Sequence, residues 1–132
     1  MSGKPFPIPD PETAPFWEAA EDGRLVLQKC GDCGAYVFYP RIVCPSCLSE
    51  ALNWVPASGR AIVHSVTVVH RAGGPFRGEV PFAVALVDLE EGPRMMSRIL
   101  TEDPASVAIG DAVTVSFVAQ EEGPPLPFFR RG

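Results

Sequence analysis

All four cysteines of the chain lie between residues 30 and 47, in the stretch CGDCGAYVFYPRIVCPSC. They form two Cys-x-x-Cys pairs, Cys30 with Cys33 and Cys44 with Cys47, separated by ten residues. Thiolates at this spacing can bind a tetrahedral metal ion, because each pair sits on a tight turn that directs both sulfurs at one point. A redox pair normally occurs once, and structural disulfides are rare in a cytosol. The pattern predicts a four-cysteine metal site, with two disulfides or free thiols as alternatives.

The metal itself is expected to be zinc. Four sulfurs in a tetrahedron suit zinc or iron, and the rubredoxin-like stretch CGDCGAYVFYP leaves an iron-binding electron carrier as an alternative. Four protein ligands leave no open position for a substrate, so the ion would be structural rather than catalytic. Gly34 is expected to supply a positive φ in the first turn, whereas Leu48 stands where a second glycine would fit, which predicts a looser second turn.

The remaining residues offer little for catalysis. His64 and His70 lie on one predicted strand, about 20 Å apart at roughly 3.3 Å per residue, too far to share a reacting centre. We interpret His64, between valines, as a half-buried structural histidine. No glycine-rich loop precedes a helix as in phosphate-binding sites, and the metal uses every cysteine. The chain is not expected to be an enzyme on its own.

The segment before the cysteines predicts a short helix. Thr13 can cap it, Pro15 fits its first turn and Gly23 can end it. Its apolar side carries Phe16 and Trp17, which either pack on the chain's own metal-binding part or contact another protein. The stretches RLVLQK and YVFYP are then expected to form a small hairpin around the first cysteine pair.

The second half alternates apolar and polar residues with a period of two, which predicts strands. The predicted strands cover residues 60–70, 80–90, 93–100, 111–120 and 126–130, with a single-turn helix after Asp103. Three strands, a short helix and two further strands are the element order of a five-stranded OB barrel, with an open sandwich as the rival. We therefore predict a mainly β protein with an N-terminal arm, short helix and zinc ribbon over residues 1–57, and an OB-fold domain with a C-terminal tail over 58–132.

Charge and hydropathy limit the partners and the location that the sequence predicts. The formal net charge is −5, and no cluster of Lys or Arg is present, so nucleic acid is not an expected partner. Zinc ribbons and OB folds often bind single strands, which keeps a nucleic-acid-binding protein as an alternative function. No apolar run is long enough to span a membrane, and no signal-peptide stretch is present, so a cytoplasmic location is expected.

Several residues are candidates for contact with a partner. Alternation along the strand 93–100 places Arg94, Met96 and Arg98 on one side, a combination that favours protein contact or a phosphorylated ligand with an apolar stem. A plain solvent-facing surface is the alternative. Aromatic rings in arms and loops are favoured as interface anchors. The candidate contact residues are Phe16, Trp17, Phe76, Arg77, Arg94, Met96, Arg98, Phe128 and Phe129.

Four segments, taken in order, resemble a known family. They are LVLQKCGDCGAYVFYPRIVCPSC, LNWVPASGRAIVHSVTVVHRAGGPF, VPFAVALVDLEEGPRMMSRI and IGDAVTVSF. The family joins a rubredoxin-like zinc ribbon to an OB fold, and the similarity runs from about residue 13 to residue 130. Its metal ligands match Cys30, Cys33, Cys44 and Cys47.

The resemblance implies an accessory role. Family members accompany thiolase-like enzymes, including lipid-transfer-type thiolases and retro-aldolases that act on acyl-CoA, and some are fused to or paired with MaoC-like hydratases. The partner carries the catalytic residues, while the small subunit supports the partner's fold or helps to hold CoA thioesters. The contact residues above then become candidates for touching the partner or CoA. Steroid side-chain, aromatic and short-chain acyl groups all remain open as substrates.

Overall fold

The computed structural model describes residues 4–131. The outermost parts of the predicted arm and tail, residues 1–3 and 132, lie outside the described residues. The chain forms a short helix, a three-stranded sheet that carries the cysteines and a closed five-stranded barrel. The predicted fold class is therefore confirmed, and the open sandwich is excluded by the closure of the barrel.

Helix α1 covers Ala14–Glu21 and follows Thr13, as predicted. The cap differs from the prediction, because Thr13 makes no side-chain cap bond. Instead, Asp10 Oδ1 accepts the N–H groups of Glu12 and Thr13, each at 2.9 Å. Gly23 follows the helix with φ +73°, a left-handed conformation that suits glycine and ends the helix.

The sheet of the N-terminal part has the order β2-β1-β3. Strand β1 covers Val26–Cys30, β2 is limited to Tyr36–Val37, and β3 covers Leu52–Pro56. The predicted hairpin is the β1–β2 pair. Strand β3 was not predicted, yet it pairs with β1 along its whole length, from Val26 opposite Pro56 to Cys30 opposite Leu52. It thereby connects the cysteine turns to the start of the barrel.

The barrel contains five strands in the order β4-β5-β6-β8-β7, and β7 pairs back with β4. Their bounds are Arg60–Val69 for β4, Phe82–Leu89 for β5, Arg94–Leu100 for β6, Ala112–Val118 for β7 and Leu126–Arg131 for β8. A 3₁₀ helix, Pro104–Ser106, lies between β6 and β7 where a single helical turn was predicted. A second one, Gly74–Glu79, lies in the β4–β5 loop.

A β-bulge at His64 interrupts the first barrel strand. The register with β5 shifts between Val63 and Ser65, so His64 has no direct partner there. The buried side changes from the odd residues Ala61 and Val63 to the even residue Val66, which packs against the core. The prediction of unbroken alternation over 60–70 is therefore wrong. His64 is 46% exposed, and it contacts charged residues instead of valines.

The two parts of the chain share one hydrophobic core. Phe16 and Trp17 of α1 are 2% and 7% exposed, and they belong to the same cluster as Ile99 and Phe129 of the barrel. The helix therefore packs on the chain's own sheet, as the first predicted alternative has it, and also on the barrel, which was not predicted. The rings of Phe16, Trp17 and Phe129 are therefore not exposed anchors, because they lie in the common core. Their contact with a partner stays a prediction.

Candidate metal centre and contact surface

The four cysteine sulfurs lie close together around one point. All four Sγ atoms lie within 4.8 Å of one another. Cys30 and Cys47 are 3.6 Å apart at Sγ, and so are Cys33 and Cys44. Four sulfurs bound at about 2.3 Å to a central ion would be roughly 3.8 Å apart in a tetrahedron. The arrangement thus fits a tetrahedral ion held by these four residues.

The backbone of each cysteine turn supports this arrangement. Gly34 adopts φ +77° and donates its N–H to the carbonyl of Cys30 at 2.9 Å. Leu48 adopts φ +66° and donates its N–H to the carbonyl of Cys44 at 2.8 Å. The two turns are therefore equivalent, and the expectation that Leu48 loosens the second turn is wrong.

Interactions outside the cysteines hold the two turns together. The hydroxyl of Ser49 donates to a carboxylate oxygen of Asp32, which links the second turn to the first. Buried Gln28 forms two bonds of 2.8 Å with the backbone N–H and carbonyl of Arg41, which ties the intervening loop to β1. The sequence contains no signal for either link. A glutamine on a short strand such as β1 normally faces solvent.

The four thiols differ in acidity. Backbone N–H groups, that of Cys33 first, lower the pKa of Cys30 to about 6. The N–H of Cys47 likewise lowers the pKa of Cys44. At Cys47 the N–H of Ser49 favours the thiolate, but desolvation and the neighbouring sulfurs together raise its pKa to about 12. A divalent cation is what would allow all four groups to be thiolates at once, and its binding would release protons.

A cavity of about 390 Å³ lies between the β4–β5 and β7–β8 loops. Three of the predicted contact residues, Phe76, Arg98 and Phe128, line it together. Arg98 is held in the wall, because its Nη1 donates to Glu79 Oε1 at 2.7 Å and its guanidinium lies 3.9 Å from the centre of the Phe82 ring. We name this space the loop cavity. It combines two cations, Arg98 and Lys4, and two carboxylates, Glu79 and Glu121, with aromatic and aliphatic walls.

The N-terminal arm reaches the loop cavity. Lys4 forms an ion pair with Glu79 and lies over the Phe76 ring, 5.6 Å from its centre. Lys4 and Arg98 together hold the pKa of the Glu79 carboxyl below its usual range. The arm and the β4–β5 loop are thus joined by charge at the mouth of the cavity.

A second space opens where α1 and the sheet meet the barrel. It has a volume of about 380 Å³, and we name it the aromatic groove. Its lining is Phe16, Trp17, Phe38 and Tyr39 on one side and Met95, Met96, Ser97, Leu126, Pro127 and Phe128 on the other. Met96 is 69% exposed at this groove, so it is the predicted contact residue most open to solvent there.

The last two predicted contact residues lie apart from both spaces. Arg94 pairs with Asp88, at 2.6 Å between Nε and Oδ1, and this contact lowers the pKa of Asp88. Its Nη2 is also 3.1 Å from Nδ1 of His64. Arg77 is exposed on the 3₁₀ helix of the β4–β5 loop. The structure therefore places Arg94 and Arg98, which the sequence suggested together for a phosphorylated ligand, in different surroundings.

Within residues 4–131, no helix is both long and apolar enough to cross a bilayer.

Two family models match the chain. One describes the ChsH2 rubredoxin-like zinc ribbon domain and matches residues 17–53, and the other describes the ChsH2 C-terminal OB-fold domain and matches residues 54–118. The chain belongs to the ChsH2 family. The family resemblance seen in the sequence is thereby confirmed, and the cysteine cluster is that of the family's zinc ribbon.

Known relatives of this ChsH2-family chain include proteins of two kinds. A DUF35 domain-containing scaffold protein of Methanothermobacter thermautotrophicus is 40% identical over 102 residues, which cover 76% of this chain and 77% of the relative. The 3-oxo-4,17-pregnadiene-20-carboxyl-CoA hydratase alpha subunit of Mycobacterium tuberculosis is 38% identical over 107 residues, which cover 81% of this chain but 34% of the relative. The chain thus spans about a third of that subunit's length.

A solved structure shows the same similarity in three dimensions. A chain described as Ltp2-ChsH2(DUF35) aldolase superposes with a TM-score of 0.84 at 34% identity. The match covers 95% of this chain and 98% of that chain. It therefore extends over the zinc ribbon and the barrel together.

Proposed function

We propose that the chain is a non-catalytic accessory subunit of a thiolase-like enzyme, a thiolase or a retro-aldolase of the lipid-transfer type, that acts on acyl-CoA thioesters. The observation that carries this proposal is the near-complete match to a chain of an aldolase assembly. Relatives described as scaffold proteins point in the same direction. Relatives described as hydratase subunits support a MaoC-like hydratase as a further partner.

The metal centre supports a structural role. Its four sulfurs would occupy every position of a tetrahedral zinc ion, so the ion would hold the turns together and offer no site for a substrate. The cysteines are thereby committed, and His64 lies on the outer barrel surface beside Asp88 and Arg94. The partner then carries out the chemistry on the thioester. The free thiolates that bind the ion are kept reduced in an environment such as the cytoplasm.

Exposed apolar side chains support contact with a partner protein. The cysteine-containing part exposes Tyr39, Ile42 and Leu48, and the barrel exposes Met96. Large apolar side chains in water are costly in a chain of this size, and methionine and aromatic residues are enriched at interfaces. We place the partner contact at the aromatic groove, which Tyr39 and Met96 line together.

We also propose that the loop cavity contacts the CoA part of the substrate. Arg98, which is paired with Glu79, and Lys4 supply positive charge at its wall, and Phe76 and Phe128 supply flat apolar surfaces. A phosphorylated ligand with an apolar stem matches that combination. A steroid-type acyl group is the substrate class that the hydratase relative suggests.

The partner is tested by recovery of the native assembly. The tagged chain is expressed in its own host, purified at physiological ionic strength, and the co-purified proteins are identified and weighed as an intact complex. We expect a stable assembly with one thiolase-like or aldolase-type enzyme. A chain that runs alone at micromolar concentration beside its co-expressed candidate enzyme would contradict the proposal.

The CoA contact is tested within that assembly by calorimetric titration with CoA. Arg98→Met removes one of the two positive charges from the loop cavity and leaves Lys4 in place. Arg94→Met is the matched control, since it removes an arginine from the same strand and face but outside the cavity. We expect Arg98→Met to weaken CoA binding about tenfold, equivalent to about 1.4 kcal/mol. Equal affinities for the two variants would remove the loop cavity from the proposal and leave the accessory role intact.

A further inference from the structure

One side of strand β6 lacks a neighbouring strand over most of its length. Among residues 4–131, β6 pairs with β8 only at Ile99 and Leu100. On its other side it pairs with β5 from Arg94 to Ile99. The barrel is therefore closed at one end of this seam, where Ser97 and Arg98 still lie beside Pro127 and Phe128. Residues 94–96 form a strand edge beside the aromatic groove.

The pairing with β5 fixes the direction of the backbone groups at this edge. The ladder begins where the Leu89 N–H donates to the carbonyl of Pro93 at 2.8 Å. Hydrogen-bonded pairs alternate from there in an antiparallel ladder, so Met95 and Ser97 direct their N–H and C=O groups to β5. The N–H and C=O groups of Met96 consequently point away from β5, toward the groove.

Among residues 4–131, no ladder pair joins Met96 to strand β8. Its nearest segment contains Pro127, which has no N–H to donate. The carbonyl of Pro127 instead accepts the Ser97 hydroxyl at 2.6 Å, so a side chain bridges the two strands where a ladder would otherwise continue. An unpaired strand edge of this kind is a template for a further strand.

The charges around the β6 edge indicate whether a second copy of this chain or a different peptide binds there. Antiparallel pairing of two β6 edges centred on Met96 would place Arg94 of one copy opposite Arg98 of the other, and like charges directly opposite are destabilising. Among the residues that the structure describes, no carboxylate lines the aromatic groove. Each guanidinium already pairs with one carboxylate, Asp88 or Glu79, but an arginine carries five N–H donors and can bind a second.

We propose that the edge of β6 at residues 94–96 binds an extended peptide segment of a partner protein as an added strand. Alternate apolar side chains of the segment fill the aromatic groove, and acidic residues at its ends meet Arg94 and Arg98. The backbone groups of Met96 give the central hydrogen bonds, and the groove gives selectivity for apolar side chains. This mode of binding goes beyond the proposed function, because it does not depend on which enzyme the partner is.

The test uses substitutions at residue 96 in the full chain. Met96→Pro removes the N–H that points into the groove while it leaves the ladder with β5 intact, and proline is tolerated on such an edge. Met96→Leu is the matched control, because it keeps the N–H and an apolar side chain. The probe is a fluorescein-labelled, end-capped peptide of about ten residues, with alternating valine and threonine between aspartates at each end. A second probe replaces the aspartates with lysines.

We expect saturable binding of the aspartate peptide by fluorescence anisotropy, about tenfold weaker binding of the lysine peptide, and about tenfold weaker binding by Met96→Pro than by Met96→Leu. No saturation at about 1 mM peptide, or equal binding by the two variants, would overturn the proposal. A self-associating chain that Met96→Pro makes monomeric would also overturn it, in favour of a second copy.

Amide exchange of the unmodified chain keeps the test valid if Met96→Pro fails to fold. The Met96 N–H should exchange fast without peptide and become protected with it, whereas the N–H groups of Met95 and Ser97 should be protected throughout. A Met96 N–H that is already protected in the free chain would contradict the proposal.

Discussion

Leu48 holds in the second cysteine turn the place that Gly34 holds in the first. Both residues adopt a left-handed backbone, at φ +66° and +77°, and both donate their N–H to the carbonyl of the first cysteine of their pair. For an L-residue with a Cβ, this conformation costs about 1–2 kcal/mol. The Leu48 side chain is 76% exposed, so little packing offsets that cost.

Leu48→Gly and Gly34→Leu should change the stability of the zinc-loaded protein in opposite directions. Leu48→Gly is expected to stabilise the zinc-loaded protein by about 0.5–1 kcal/mol, because relief of the left-handed strain exceeds the entropy that glycine adds to the unfolded chain. Gly34→Leu should destabilise it by about 1–2 kcal/mol. Denaturant unfolding with zinc in excess measures both changes. Changes of the same sign would show that the two turns are not equivalent.

The second prediction concerns the metal. The purified chain should be colourless and contain one zinc ion per four-cysteine cluster. Cys44→Ser should abolish zinc binding and lower the stability of the whole chain, because the sheet and the barrel share one core. Elemental analysis and thermal unfolding provide the measurements. Ser46→Ala, inside the same turn but not a ligand, is the control, and a red iron-containing protein would contradict zinc as the ion.

The third prediction concerns the contact between the two parts. Trp17→Ala should cost about 3–5 kcal/mol, the range for removing a large buried aromatic side chain, since Trp17 is 7% exposed in the common core. Met96→Ala, at an exposed position, should change stability by no more than about 0.5 kcal/mol. Chemical denaturation separates these outcomes. A small effect of Trp17→Ala would mean that α1 contributes little to the core.

The fourth prediction concerns pH. Lys4 and Arg98 lower the pKa of the Glu79 carboxyl in the folded chain. Its ionised form therefore stabilises the fold above its unfolded pKa of about 4.3, and that contribution disappears as the pH falls through the lower folded value. Glu79→Gln should reduce the melting temperature near neutral pH, and the difference from the unmodified chain should shrink as the pH falls below about 4.

Zinc release at low pH lowers the melting temperature of Glu79→Gln and of the unmodified chain alike. It therefore cancels in the difference between their melting temperatures. Glu12→Gln, on the exposed N-terminal segment, serves as the control that keeps the total charge change equal. A difference between Glu79→Gln and the unmodified chain that stays constant across the acid range would show that the ion pairs contribute nothing.

The sequence predicted the parts of this molecule whose signals are local. Cysteine spacing identifies the four thiols that the fold brings together, and alternation with a period of two identifies the five barrel strands. It could not locate the bulge at His64, because a single inserted residue leaves the strand apolar on average. It also could not show where Phe16 and Trp17 point, since a helix with one apolar side fits a partner's surface as well as its own core.

The contact surface shows a similar limit. Arg94 and Arg98 lie on one face of β6 as alternation predicts, yet their ion pairs with Asp88 and Glu79 place them in different surroundings. Those partners come from β5 and from the β4–β5 loop, and side-chain pairing across strands depends on the register, which a single sequence does not specify.

The central claim, that this chain assists an acyl-CoA enzyme without catalysis of its own, is tested most directly by a rate measurement. The co-purified enzyme is separated from the chain, and cleavage of its acyl-CoA substrate is assayed with the chain alone, with the enzyme alone and with both recombined. The account predicts no turnover by the chain and a restored or increased rate on recombination. Turnover by the pure chain, or an enzyme rate that does not respond to the chain, would contradict it.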